Sequence, residues 1–258
     1  GEWADPHCWE LGRGYLYRCR ATLAPETGWF ASGGRKAAAL ARRDEKEFRF
    51  GFREIWRDGK ELMMNGHRLH FRPCYSYGVN RWGARMLQDI GYNVITCNHD
   101  IHATGNSASP DLWNWLDESG MGIVLNPGSF ATISNYDWEN LDAFATDAKE
   151  QQVYREFIGS WHRANRNHPA LFACYVTQMI LCDTGNFLPN VLAQQRYPGG
   201  RPTKGKHRAI DVACDINRGY NPNILYYSHA DGSNGDLSSG NLYLNWTPLQ
   251  EREEWLSQ

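Results

Sequence analysis

The sequence predicts an α/β fold in which helices and strands alternate along most of the chain. After a turn signal at residues 58–59, apolar patterns with helical and strand-like periods follow one another. The run from Ala170 to Val176 is apolar throughout, which is typical of a strand covered on both faces in a parallel sheet. Pro169 precedes this run and ends the helix before it. Such alternation indicates parallel strands with right-handed crossovers, in either a barrel or a doubly wound sheet.

Before this turn the chain has a strand-like pattern. Residues 15–23 and 48–52 alternate apolar and polar side chains, and the charged stretch 32–47 is interpreted as a solvated hairpin loop or a short helix. Six strand-helix units are then predicted. The strands are 69–74, 93–97, 122–125, 170–176, 224–227 and 242–246, and the helices are 81–90, 111–119, 147–163, 210–218 and 248–256.

The composition argues against nucleic-acid-binding and membrane proteins. The 258 residues suffice for one large domain or two smaller ones, and a formal net charge of -2 gives no field that would attract nucleic acid or an anionic membrane. No apolar run approaches the roughly 20 residues that cross a bilayer. The seven cysteines form no Cys-x-x-Cys pair, so we expect mostly buried thiols. Aromatic residues make up 13% of the chain, which suits either sugar stacking or packing.

Three familiar motifs give no firm site. Residues 200–206 have the Gly-x-x-x-x-Gly-Lys spacing of a phosphate loop, but His207 replaces the Ser or Thr and no predicted strand precedes it, so we interpret an ordinary loop. His99, Asp100 and His102 lie near one strand end without a fourth ligand, and we predict no metal site and no cofactor. Neither a zinc-peptidase nor a serine-hydrolase signature is present.

Acidic residues at predicted strand ends are candidates for acid–base chemistry. Asp100, Asp183 and Asp231 occupy such positions, and Asp236 lies in a following loop. Glycoside hydrolysis normally needs two carboxyl groups, one to protonate the leaving oxygen and one to act as nucleophile or base. Each of these residues could equally cap a helix or a turn.

Several stretches together resemble one known family. Residues 3–17 (WADPHCWELGRGYLY) resemble the late strands of the immunoglobulin-like domain that precedes the barrel in glycoside hydrolase family two, which includes β-galactosidases, β-glucuronidases and β-mannosidases. Residues 50–54, 58–59 and 64–72 are similar to the passage into its first barrel strand. Residues 93–99 resemble its second strand, and residues 167–169 resemble the lead-in to its fourth.

This resemblance implies a division of the chain. Residues 1–52 would be a remnant of the immunoglobulin-like β-sandwich domain, and residues 53–258 a TIM-type (β/α) barrel with about six of eight units. A barrel that lacks two units leaves open edges. We therefore expect a fragment, or a chain completed by a missing C-terminal segment or by self-association.

The end of the fourth strand departs from the family. There the strand ends in Asn-Glu, and the Glu is the general acid/base, whereas Gln178 and Met179 occupy these positions here. A thioether cannot exchange a proton with a glycosidic oxygen. Asp183 is the nearest carboxyl group that could substitute. Asn126 and Pro127 likewise replace an acidic pair after the third strand, and the family's nucleophile would lie on a seventh strand.

The resemblance implies hydrolysis of O-glycosidic bonds in oligo- or polysaccharides, with carbohydrate as the partner. The alternatives are a carbohydrate-binding relative without turnover and a truncated gene product with no function of its own. The compartment stays open, with a periplasmic or secreted location if the natural protein begins further upstream. The predicted substrate contacts are Tyr75, Tyr77, His99, Asp100, Gln178, His229 and Trp246.

Overall fold

The structure is a computed structural model that describes residues 3–23, 44–76, 79–97, 110–133, 140–178, 204–229, 231–232, 234–237 and 239–240. Within these residues the fold is α/β, with a five-stranded parallel sheet, helices between its strands, and small antiparallel sheets beside it. The predicted α/β class is therefore confirmed. No helix in this described part is both long and apolar enough to span a membrane.

An antiparallel ribbon begins the chain. It pairs β1 (Tyr17–Leu23) with β2 (Asp44–Phe50), and alternation puts Tyr17 and Phe50 on one face with ring centroids 5.7 Å apart. Charged side chains share the other face, where Arg20 pairs with Glu45 at 3.0 Å. The expectation of a loop or helix was wrong for residues 44–47, because these residues pair along β1. The rest of that stretch, 32–43, lies outside the described residues.

A three-stranded meander follows, of which the sequence predicts only the first turn. It consists of β3 (Ile55–Asp58), β4 (Glu61–Met64) and β5 (His67–Arg68). Its tight turns use positive backbone φ, +58° at Gly59 and +84° at Gly66, which glycine adopts without steric cost.

Among the described residues, the central sheet contains five strands in chain order. These are β6 (Pro73–Ser76), β7 (Val94–Cys97), β8 (Gly122–Leu125), β9 (Leu171–Gln178) and β10 (Leu225–His229). Each strand pairs in parallel with the next, so the described sheet lacks the order reversal that marks a doubly wound fold.

The first strand of this sheet was predicted too early, at 69–74. Its ladder starts at Pro73, because the preceding residues are engaged elsewhere. The Leu69 amide donates to the Leu62 carbonyl and extends the meander, and the Arg72 amide donates to the Asn93 side chain at 2.7 Å.

Helices connect the strands, and each predicted helix in the described part is found. The helices are α1 (Arg81–Asp89), α2 (Pro110–Ser119), α3 (Phe130–Ile133), α4 (Ala148–Asn165) and α5 (Lys204–Tyr220), with a 3-10 helix at Leu141–Ala145. The one predicted at 210–218 already begins at Lys204, so the interpretation of residues 200–206 as a loop was wrong for 204–206. The Asn80 side chain caps α1 and the Asp147 side chain caps α4, each by accepting backbone amides. Short strands β11 (Asp231–Gly232) and β12 (Ser239–Gly240) pair after β10. The predicted strand 242–246 and helix 248–256 lie outside the described residues.

The amino end of the central sheet is closed by the N-terminal segment. Trp9 is fully buried there, and its indole donates to the Asp117 carbonyl at 2.7 Å. The Asp117 carboxylate lies 2.6 Å from His168 Nδ1 and accepts the Ala170 amide at 3.1 Å. Close to these residues, Arg53 donates to the Leu171 carbonyl at 2.7 Å, and burial lowers the pKa of this guanidinium to about 10.

The division of the chain between residues 52 and 53 stays a prediction. Residues before this boundary, such as Trp9, pack against residues after it, such as Asp117.

Candidate functional site

The central sheet is strongly curved. Tyr75 and His229 lie on its two outermost strands, β6 and β10. In a flat five-stranded sheet, four spacings of about 4.8 Å would hold these strands about 19 Å apart. Their ring centroids are only 6.2 Å apart, with the planes inclined by 20°. The sheet therefore curls until side chains of its first and fifth strands meet across the concave face.

Tyr175, on β9, fills the middle of that concave face. Its ring centroid lies 5.3 Å from that of His229 and 5.9 Å from that of Tyr227. Its hydroxyl donates to the carbonyl of Cys97, which belongs to β7, so the side chain passes over the intervening strand. Tyr75, Tyr175, Tyr227 and His229 form what we call the carboxyl-edge ring group.

The side chains of the ring group differ in their exposure to solvent. Tyr175 is fully buried, whereas Tyr75 exposes 41% of its surface. Burial lowers the pKa of His229 and raises that of Tyr227, so both side chains are neutral near pH 7. A neutral imidazole donates from one nitrogen and accepts at the other, and a phenol does both at its oxygen. The group can therefore stack on a ligand and exchange hydrogen bonds with its hydroxyls, but it supplies no carboxylate.

Small polar side chains lie at or just beyond the carboxyl ends of β8 and β9. The Ser129 hydroxyl lies 3.4 Å from that of the buried Thr177, on β9. Asn126, which follows β8, accepts the Gly128 amide at 2.9 Å and thereby shapes the turn after that strand. The backbone of Gln178 is in register with His229. These polar side chains are uncharged.

The structure brings two predicted site residues, Tyr75 and His229, into direct contact. The backbone of a third, Gln178, joins the same edge of the sheet. The remaining predicted residues stay predictions because they lie outside the described residues: Tyr77, His99, Asp100, Met179, Asp183 and Trp246.

Asp236 stabilises the loop in which it lies. Its carboxylate accepts the Tyr226 amide at 2.8 Å and pairs with Arg218 at 3.1 Å, which fastens its loop to β10 and α5. For this acid the turn-stabilising alternative is therefore favoured. Within the described ranges, no group of three or more His, Cys, Asp or Glu side chains is placed to hold a metal ion.

Comparison with solved structures defines the fold. No protein-family model matches the sequence. The chain resembles a β-glucuronidase from Bacteroides uniformis with a TM-score of 0.63 and 17% identity, over 98% of this chain and 29% of that one. The likeness to the Parabacteroides merdae β-glucuronidase has a TM-score of 0.60 and 15% identity, over 96% and 29%. The fold is glycoside hydrolase-like.

A third neighbour is the β-glucuronidase of Bifidobacterium dentium complexed with coumarin-3-O-glucuronide, with a TM-score of 0.58 and 16% identity, over 91% of this chain and 34% of that one. This chain thus spans about a third or less of the length of these neighbours. At such low identity the likeness shows the glycoside hydrolase-like fold alone.

Sequence reasoning missed Tyr175 as part of this edge. It read the surrounding run as uniformly buried strand, and the pairing of β9 is interrupted by register shifts against both β8 and β10, so simple alternation does not reveal which side chains share a face. One signal was available: a tyrosine within an apolar strand needs a partner for its hydroxyl.

Proposed function

We propose that the protein acts on O-glycosidic bonds of oligo- or polysaccharides and binds the sugar at the carboxyl edge of its parallel sheet. The observation that supports this most directly is the partly exposed ring of Tyr75 stacked on His229, at the carboxyl ends of the outermost strands. An exposed aromatic face packs against the C–H face of a sugar, and a neutral imidazole binds its hydroxyls.

The architecture supports the same proposal. Strand order follows chain order and the sheet is strongly curved, as expected if residues 53–258 belong to a TIM-type barrel and residues 1–52 to a β-sandwich remnant. In such barrels active sites lie at the carboxyl ends of the strands. The solved neighbours include β-glucuronidases, one of them with a bound glucuronide.

The proposed acid is Asp183. Protonation of the leaving oxygen requires a carboxyl group, and Met179 occupies the position that carries it in the resembled family. Asp183 follows four residues later in the sequence and is the nearest carboxyl group that could substitute. The nucleophile has no assigned residue in this proposal.

A second candidate is a carbohydrate-binding protein without turnover. Met179 favours it, and so does Asn126, since its side chain is engaged in a turn where the resembled family has an acidic pair. This candidate keeps the ring group as a binding platform. It differs from the first only in lacking a proton donor beside the bound sugar.

The two candidates separate in one set of assays on the full chain. Aryl β-glucuronides, β-galactosides and β-mannosides test hydrolysis, and we expect Asp183→Asn to lower kcat/KM about a hundredfold or more. Asp58→Asn, a substitution of an exposed residue at the end of β3, is the control. Equal rates in both variants would remove Asp183 as the acid.

Calorimetry with neutral oligosaccharides tests the binding step. Saturable heat that disappears in Tyr75→Ala, without hydrolysis of any glycoside, would establish the binding protein instead. If neither hydrolysis nor saturable heat is found, the proposed function is wrong.

A further inference from the structure

A second candidate site lies at the opposite, amino end of the sheet. A groove with a volume of ≈ 470 Å³ opens there between the N-terminal segment, the meander, and the residues just before β6 and β7. This volume falls within the range of about 300–1,000 Å³ that is typical of small-molecule sites. Its lining includes Leu11, Met64, His67, Arg68, His70 and Arg72.

The groove has a fixed wall. The Asn93 side chain accepts the Arg72 amide at 2.7 Å and donates to the His70 carbonyl at 2.7 Å, while the Asn93 amide donates to the Arg72 carbonyl at 3.1 Å. One asparagine thus clamps the segment that carries two of the basic lining residues. Groups held in place before binding lose little conformational freedom when a ligand arrives.

The charge of the lining is locally positive, although the chain has a formal net charge of -2. Among the lining residues, Arg68 and Arg72 are positively charged and Glu10 is the one negatively charged residue, beside two histidines. Arg68 uses its Nε on Glu61 at 2.6 Å. Among the described residues, no carboxylate lies within ion-pair distance of Arg72, so its guanidinium remains available to an anion from solution.

The lining also contains apolar surface. Met64 is buried, and Leu11 and Leu69 are half-buried beside the basic side chains. An inorganic ion would leave this surface in water, whereas an organic anion would cover it and gain from its burial. Apolar lining next to a few charged groups is the usual composition of a small-molecule site.

We propose that this groove binds a small organic acid, with its carboxylate on Arg72 and its carbon skeleton over Leu11, Met64 and Leu69. The inference rests on the groove itself and does not depend on the proposed function. Galacturonate, galactose and inorganic sulfate are suitable probes. The first has both the carboxylate and the skeleton, the second has the skeleton without charge, and the third has charge without skeleton.

Calorimetry at low ionic strength on the full chain tests the site, since salt screens exposed charge pairs. We expect galacturonate to bind more tightly than sulfate and galactose to give no saturable heat from this groove. Arg72→Gln should weaken galacturonate binding about tenfold, as for the loss of one charged hydrogen bond. Arg57→Gln removes the same charge from the neighbouring strand β3, outside the groove lining, and should leave binding unchanged.

Histidine resonances locate the binding. Galacturonate should shift the ring signals of His67 and His70, assigned through His67→Gln and His70→Gln. A shift of His229 that is lost in Tyr75→Ala would instead report binding at the carboxyl edge. Unchanged His67 and His70 signals, or equal affinity in Arg72→Gln and Arg57→Gln, would overturn the proposed groove site without affecting the proposed function. Equal affinity for sulfate and galacturonate would overturn the role of the apolar lining.

Discussion

The two ends of the central sheet are built from opposite kinds of contact. At the amino end Trp9 is fully buried, and Asp117 and Arg53 hold neighbouring groups by hydrogen bonds. At the carboxyl end the ring group meets through stacking, and Tyr75 exposes 41% of its surface. The proposed organic-acid groove lies beside the amino-end network as a separate site. The buried network at the amino end stabilises the fold, whereas the carboxyl edge is where the proposed function places the sugar. Barrel enzymes divide their two ends in the same way.

The largest effect should come from Trp9→Ala. The substitution empties a buried site and leaves the Asp117 carbonyl without its indole donor, and we expect a loss of about 3–5 kcal/mol in the free energy of unfolding. Urea denaturation measures it. Trp3→Ala is the matched control, because Trp3 is 54% exposed, and it should cost only about 1–2 kcal/mol through its ring contacts with Tyr17 and Phe52. Similar losses in both variants would contradict the stabilising role of the amino end.

Asp117→Ala should come next, at about 3 kcal/mol, since it leaves the Ala170 amide and the His168 ring without their buried acceptor. Asp111→Ala is the control on the same helix. Asp111 forms an exposed ion pair with Arg81 at 3.0 Å, and such pairs contribute about 0–1 kcal/mol. If chemical denaturation gives equal values, the buried network contributes no more than a surface pair.

Gly120→Ala tests how closely the N-terminal segment approaches. A Cβ at Gly120 would lie 2.3 Å from the Arg13 backbone nitrogen, and the residue has a φ of +71°. Gly91→Ala introduces the same kind of backbone strain at a φ of +99° with open space around it, at about 1–2 kcal/mol. We expect Gly120→Ala to cost a further 1–3 kcal/mol or so, from crowding. Equal melting temperatures for the two variants would argue against the close approach.

Tyr75→Ala should have the smallest effect on stability, about 1 kcal/mol or less, because its ring is partly exposed. Its effect on His229 should be clear. Burial lowers the pKa of His229 below its ordinary 6.5, and loss of the covering ring admits water, which stabilises the charged imidazole and raises the pKa. Titration by NMR measures this, with Tyr75→Phe as the control that keeps the ring and the low pKa.

The lowered pKa of His229 also makes the free energy of unfolding depend on pH. Unfolded His229 takes up a proton at a higher pH than the folded side chain, so its contribution to stability falls as the pH drops below about 6.5. In Tyr75→Ala this loss should be smaller. A His229 pKa that is unchanged by Tyr75→Ala would show that the stacked ring does not shield the imidazole.

Periodicity predicted the parts of the fold that depend on local pattern. The predicted strand at 122–125 matches β8, and the apolar run after Pro169 matches most of β9. The meander was missed because its strands are only two to four residues long. The start of β6 was misplaced because Asn93, distant in sequence, engages the residue before it.

Of the candidate site, Tyr75 and His229 could be chosen from their positions at strand ends. The contact between the two rings could not be predicted from the sequence, because it depends on the curvature of the whole sheet. The amino-end network was equally hidden. Residues as far apart in sequence as Trp9, Arg53, Asp117 and His168 meet there, and no local pattern marks their partnership.

The hydrogen bond between Trp9 and Asp117 can form only after both residues have been synthesised. Its two residues are 108 positions apart, so at translation rates of about 5–20 residues per second the indole waits roughly 5–20 s before its acceptor is made. During that interval the large apolar side chain of Trp9 has no site to fill. The segment that closes the amino end of the sheet is thus made well before the helix end against which it docks, and until then its indole stays open to other apolar binding partners.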